Sequence, residues 1–253
     1  MEVLFLGVGE ACDPSFFNTS VLVRKNGAAR FSIMLDCGFT TPHLFFRICD
    51  APEALEVVWI SHFHGDHFFG LPLLLLRFWE MGRRNPLKIL GPVGVEDKVR
   101  QAMELAYPGF MAKLQFHLEL GAMVPGEQVT AGGILWRCAS VEHSQGALAV
   151  RLDCNDRAIF YSGDGRPTQE SADLAKGVDL MIHEAFRYDA KTPGHGAVLD
   201  CVALAAQAGV RCLALVHLER NDRQVFAQGL HALATQTAGP RIVVPEPGES
   251  LRV

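Results

Sequence analysis

Ser61-His62-Phe63-His64-Gly65-Asp66-His67 is the stretch that decides this chain, because three imidazoles and a carboxylate within six residues are too dense for packing to explain. It follows Val57-Val58-Trp59-Ile60, a β-branched and aromatic run that reads as a buried strand. After it come Gly70-Leu71-Pro72 and the leucines at 73–76, which read as the start of a helix. On an extended backbone His62 and His64 point to the same side and can grip one ion together. Gly65 then permits a turn that a residue with a Cβ resists, so that Asp66 and His67 reach a second position close by. Solvated surface histidines are the bland reading. It suits a single histidine better than four ligand-type residues behind a buried strand. The stretch therefore reads as a site for two metal ions.

The 253-residue chain has ample apolar content for a large core. Its candidate donors run from His62 to His217, and a site drawn from both halves predicts one folding unit over residues 1–253 rather than two. A net charge of -5 offers no generally basic surface; this weakens a nucleic-acid role but leaves room for a local patch. Seven scattered cysteines with no CxxC pair fit neither a disulfide framework nor a zinc ribbon, and a reducing cytoplasm is expected. The N-terminus lacks a basic leader, and the apolar run at 68–76 is too short for a bilayer. Neither export nor a membrane anchor is expected.

In chain order, Val3–Leu6, Thr19–Arg24 and Phe31–Leu35 read as strands, the last two joined by a Lys25-Asn26-Gly27 turn. Gly7 and Gly9 lack the third glycine and the helix that a dinucleotide loop needs. Asp36 ends the third strand, where it either holds a ligand histidine from behind or merely forms a turn. Helices are predicted over Leu73–Met81 and Val95–Tyr107, with Arg77, Arg83, Arg84 and Lys88 read as a solvated basic face. Leu114–Leu120 alternates like a half-exposed strand with His117 on its polar side. Further strands are expected at Ile134–Val141, Ala147–Leu152, Ala158–Tyr161, Leu180–Ile182 and Cys212–Val216. Ligand-type residues follow four of these ends: His143, Asp164, the pair His183-Glu184, and His217. With helices expected at Thr168–Lys176, Ala197–Ala208 and Arg223–Thr235, the pattern is of two packed sheets with helices outside.

These residues resemble the metallo-β-lactamase superfamily, and within it the ribonuclease Z-like branch. The likeness rests on HxHxDH at His62, His64, Asp66 and His67, on later His143, Asp164 and His217 in the same order, and on Asp36-Cys37-Gly38, Gly163-Asp164, His183-Glu184-Ala185 and His195. The resemblance implies an α/β fold, a four-layer αββα sandwich of two mixed β-sheets flanked by helices. It also implies two zinc ions, with manganese or iron tolerated by the same ligands. His62, His64 and His143 would hold one ion, Asp66, His67 and His217 the other, and Asp164 would bridge them. Asp66 would also orient or deprotonate the water. His195 would contact a phosphate or protonate a leaving oxygen, with His183 and Glu184 supporting either it or a ligand, and Asp36 supporting a ligand histidine.

The sequence also departs from that branch. Only twenty residues separate His143 from Asp164, too few for the long tRNA-gripping arm of ribonuclease Z, and Phe39-Thr40-Thr41 replaces its usual acidic continuation. The expected function is a metal-dependent phosphodiesterase acting on a nucleotide, RNA or small phosphodiester through an activated water. A thioester or lactam hydrolase of the same fold and a non-catalytic metal-binding protein are the alternatives. Relatives of this kind are often dimers, so a homodimer is among the expectations.

Overall fold

The computed structural model describes residues 1–189, 191–223 and 239–253. One sheet contains β1 (Glu2–Gly7), β2 (Ser20–Arg24), β3 (Ile33–Leu35), β4 (Val57–Trp59), β5 (Leu87–Gly91), β6 (Leu118–Ala122) and β14 (Ser250–Arg252), in the order β14-β1-β2-β3-β4-β5-β6. The other contains β7 (Gln128–Ala131), β8 (Ile134–Val141), β9 (Ala147–Cys154), β10 (Arg157–Tyr161), β11 (Leu180–Glu184), β12 (Cys212–Val216) and β13 (Arg241–Val243), ordered β13-β12-β11-β10-β9-β8-β7.

Each sheet is mixed in the same way. An antiparallel meander, β1 to β3 or β7 to β10, gives way to parallel pairs. Parallel neighbours need a crossover, and among the described residues helices supply it. In the first sheet these are α1 (Thr41–Ile48), the pair α2 (Gly65–Phe68) and α3 (Leu71–Glu80), and α4 (Val95–Ala106); in the second they are α5 (Gln169–Leu174) and α6 (Val198–Gln207).

Side-chain alternation builds the layers. Val3 and Phe5 of β1 and Leu180 and Ile182 of β11 enter the core between the sheets, where Trp59 and Trp136 lie with ring centroids 6.3 Å apart. Leu4, Leu6 and Met181 point outward to the helices. The result is an αββα sandwich. All five chain segments that leave β3, β4, β8, β10 and β12 at their C-terminal ends carry ligand-type residues, the edge at which sheets of this kind place their sites.

Several expectations are corrected. Leu114–Leu120 is not one strand: a single turn at Met111–Lys113 precedes it, and pairing with β5 starts only where the His117 carbonyl accepts from Leu87 N and Leu87 pairs with Leu118. Arg83 is not on a solvated face. It is buried, and its guanidinium donates to the carbonyls of Glu53, Leu55, Asn85 and Pro86, which closes off loop ends that would otherwise be unpaired. Gly65 does not make a left-handed turn but opens α2; its lack of a side chain matters because a Cβ would come within 2.3 Å of the Phe39 ring. Helix α1 has no counterpart among the expected elements. The helix expected over Arg223–Thr235 lies, beyond its first residue, outside the described residues. Among the described residues no helix is long and apolar enough to cross a membrane.

Candidate metal centre

Strand β4 ends at Trp59, and after Ile60 and Ser61 the chain delivers His62 and His64 side by side. His62 Nε2 lies 3.0 Å from His64 Nδ1, and His143 Nε2, arriving from the end of β8, lies 3.1 Å from the same atom. Their protons are accounted for. Ser61 Oγ donates to Asp36 Oδ2 at 2.7 Å, so it accepts from His62 Nδ1 at 3.0 Å; His143 Nδ1 donates to the Gly194 carbonyl at 2.6 Å. That leaves bare lone pairs on His62 Nε2 and His143 Nε2, both aimed at His64 Nδ1, which can offer at most one proton. Burial, reinforced by His67, holds His62 well below the ordinary imidazole range, and burial and His143 lower His64 too. Converging neutral nitrogens with too few protons between them are a cradle for a cation.

A second group adjoins the first. His67 Nε2 lies 3.2 Å from both Asp66 Oδ2 and Asp164 Oδ1, while His217 Nε2 lies 3.4 Å from Asp66 Oδ2 and 3.2 Å from Asp164 Oδ2. All four residues are buried. A tetrahedral ion about 2.0–2.1 Å from its ligands sets them about 3.3 Å apart, close to these separations. His67 Nε2 and Asp164 Oδ1 are buried without a conventional hydrogen bond, as atoms facing a metal should be.

The charges say the same. Burial would raise Asp66, but hydrogen bonds from His217 and His67 hold it far below the carboxylate range; burial is likewise outweighed at Asp164 by the charges of His217 and His67. Burial would lower His67, yet Asp164 and Asp36 push it well above its ordinary value, and Asp164 and Asp66 push His217 up to about 9 against the same penalty. Carboxylates buried here demand positive charge. Protons can answer that demand, and a divalent cation answers it with more charge at one point.

Behind the second group, Asp36 collects four donors. Its Oδ1 accepts from Ser61 N at 2.7 Å, and its Oδ2 accepts from Ser61 Oγ, from His67 Nδ1 at 2.7 Å and from Tyr161 OH at 2.6 Å. Holding His67 by Nδ1 leaves Nε2 free to face the site. Asp36 sits at φ 60 and His217 at φ 57, left-handed conformations that non-glycine residues rarely adopt and that both occur at this site. Gly163, at φ 59, also makes room: a Cβ there would meet Ser61 Cβ at 2.4 Å.

His195 closes one side of the centre. Its ring stacks on His217 with centroids 5.7 Å apart, tilts against Phe186 at 5.0 Å, and places Nδ1 3.5 Å from Glu184 Oε1. Glu184 Oε1 also accepts from Gly196 N at 2.6 Å and Gly165 N at 3.1 Å, pinning the His195 loop to the loop after Asp164. His183 does not join it. The two residues end β11 rather than follow it, so alternation turns Glu184 inward and His183 outward, where Nδ1 donates to the Glu184 carbonyl at 2.7 Å beside Cys201. Sequence reasoning missed Ser61, Tyr161 and Phe186. Ser61 adjoins the motif, but Tyr161 lies 125 residues from its partner Asp36, and only the packing of one sheet on the other joins them.

The family model described as Anti-Pycsar protein Apyc1 matches residues 1–237. Ribonuclease Z of Methanosarcina acetivorans is 28% identical over 274 residues, covering 86% of this chain and 87% of its own. Among solved structures, the short form of human tRNase Z is similar with a TM-score of 0.80 and 23% identity, covering 100% of this chain and 99% of its own. The metallo-β-lactamase fold protein YhfI from Bacillus subtilis is similar with a TM-score of 0.80 and 21% identity, over 99% of both chains.

Proposed function

The chain belongs to the Anti-Pycsar protein Apyc1 family and to the ribonuclease Z-like branch of the metallo-β-lactamase superfamily, and from that premise we propose a metal-dependent phosphodiesterase acting on a nucleotide or RNA phosphodiester. The observation that carries the reading is the pair of adjoining donor groups, one of three imidazoles and one of two imidazoles with two carboxylates. His62, His64 and His143 would hold one divalent ion, and Asp66, His67, Asp164 and His217 would hold a second. Zinc suits this nitrogen-rich set, and manganese or iron would tolerate it. Such a pair supplies Lewis acidity, lowering the pKa of water and drawing charge from a phosphoryl oxygen.

The protein's own groups supply position and protons. Asp66, which belongs to the buried donor group, would orient the attacking water by accepting its hydrogen bond. His195, partly open to solvent and braced by Glu184 and Phe186, donates a proton to the leaving oxygen. Between His143 and Asp164 the chain forms only the β9–β10 hairpin, turning at Asn155-Asp156. No segment there can reach out to grip a tRNA, which favours nucleotides and short RNA as substrates. Hydrolysis of bis-p-nitrophenyl phosphate by protein loaded in turn with zinc, manganese and iron tests the reading. Turnover that a chelator abolishes is expected; no cleavage with any of the three metals contradicts it.

A further inference from the structure

Among the described residues the large aromatic side chains are buried or half-buried except for two: Phe39 is 56% exposed and Phe69 is 50% exposed. They are not scattered. Their rings form an edge-to-face pair with centroids 5.7 Å apart, and the pair sits on the metal-binding loop itself. A Cβ on Gly65 would come within 2.3 Å of Phe39 Cζ and 3.1 Å of Phe69 Cδ2, so both rings lie over the residue between His64 and Asp66. Those two neighbours supply one donor to each group of the candidate centre.

The segment that carries Phe39 is sewn to the segment that carries Phe69. Cys37 N donates to the His67 carbonyl at 2.8 Å, Gly70 N donates to the Cys37 carbonyl at 2.8 Å, and a Cβ on Gly38 would fall 1.8 Å from the Asp66 carbonyl oxygen. On the other side, Asn18 N donates to Thr40 Oγ1 at 2.9 Å and Thr40 N to Asn18 Oδ1 at 3.1 Å. The aromatic pair is therefore preorganised, its exposure is a property of a fixed loop, and its backbone is shared with the donor residues. Exposing two phenyl rings costs stability unless something covers them.

We propose that Phe39 and Phe69 form a stacking platform for the nucleobase of the substrate whose phosphodiester lies at the metal centre, a reading that rests on the proposed phosphodiesterase activity. A base offers a flat π-face, which a phenyl ring takes up whatever the base identity, and the net charge of -5 leaves little general attraction for the phosphate to do this work. A second copy of the chain is the competing occupant. Among the described residues the other large, exposed apolar side chains, Val93, Leu105, Val124 and Leu199, lie on other segments, whereas the pair lies directly against the residue between two donors, a place that suits the substrate.

The test compares two esters with the same leaving group on the metal-loaded full-length protein: p-nitrophenyl thymidine monophosphate, which carries a base, and methyl p-nitrophenyl phosphate, which does not. The readout is the ratio of their kcat/KM values. Phe39→Ala and Phe69→Ala are expected to lower the ratio roughly 5- to 100-fold, mainly through KM for the base-bearing ester. Phe39→Trp should keep it, and Leu105→Ala, at an exposed position of α4, should match the unaltered protein. An unchanged ratio in both alanine variants, or equal losses on both esters, overturns the platform, as does a fall in dimer content by sedimentation without a change in ratio. Failure of the unaltered protein to cleave either ester is a different result and overturns the phosphodiesterase reading instead.

Discussion

The two donor groups differ in nearly every respect except that they adjoin. His62, His64 and His143 form an all-imidazole set, of which only His62 is fully buried, and its ring nitrogens are steered by a serine hydroxyl and a backbone carbonyl. Asp66, His67, Asp164 and His217 form a buried set with two carboxylates, backed by Asp36 and the hydroxyl of Tyr161. An open, neutral cradle beside a closed, anionic one implies unequal affinities. The closed group should fill first and empty last, because its carboxylates gain most from a divalent charge in a place water does not reach. The open group, facing solvent, should exchange its ion and meet the substrate.

The largest expected effect would break that division of labour. Asp66→Ala, in the closed group, and His143→Ala, in the open one, should each reduce bis-p-nitrophenyl phosphate turnover to the uncatalysed background. Retained activity in His143→Ala would show that the closed group works alone. Next in size, His195→Ala should lower kcat about 10²- to 10⁴-fold, as loss of a proton donor does. Its metal content should not change; a loss of bound metal would instead make His195 a ligand, a role that its closeness to His217 and Glu184 would allow.

Smaller effects sharpen the contrast by acting on one group more than on the other. Asp36→Asn should weaken metal binding about 10- to 100-fold at the closed group, measured by competition with a chromophoric chelator, and less at the open group, which Asp36 reaches only through Ser61 and His62. Tyr161→Phe removes one of the four donors to Asp36 and should cost about tenfold or less at the same group. Equal weakening of both constants in either variant would mean that the two groups share their support.

The mildest effect is on stability against pH. In chelator-treated protein His217 is raised from 6.5 to about 9, so its protonated form contributes stability that is fully present below about pH 6.5 and is lost as pH rises through 9. The melting temperature of the metal-free protein should therefore fall between pH 6.5 and 9. The increment gained on adding metal should grow over the same interval, since the ion no longer has to displace that proton. A metal increment that shrinks with rising pH would contradict this.

What could be read from the sequence follows the range of the signals. His62, His64, Asp66 and His67 are crowded into one loop after an apolar strand, so local geometry exposes them. His143, Asp164 and His217 each end a recognisable strand, and the resemblance supplied their order. The layered fold was legible because alternation and helical spacing are local too. The misses were tertiary. Arg83 looks like one more surface cation until loop carbonyls from two segments close around it. Tyr161 completes a strand like any apolar residue until the opposite sheet brings Asp36 within 2.6 Å. His183 and Glu184 are adjacent in sequence, and only the true end of β11 tells which of them faces the site.

Anomalous diffraction at the zinc edge, from crystals of the zinc-saturated protein, tests the paired centre most directly. Two peaks are predicted, about 3.5 to 4 Å apart, one among His62 Nε2, His64 Nδ1 and His143 Nε2 and the other among Asp66, His67, Asp164 and His217. A single peak, or none at these seven side chains, would contradict the account.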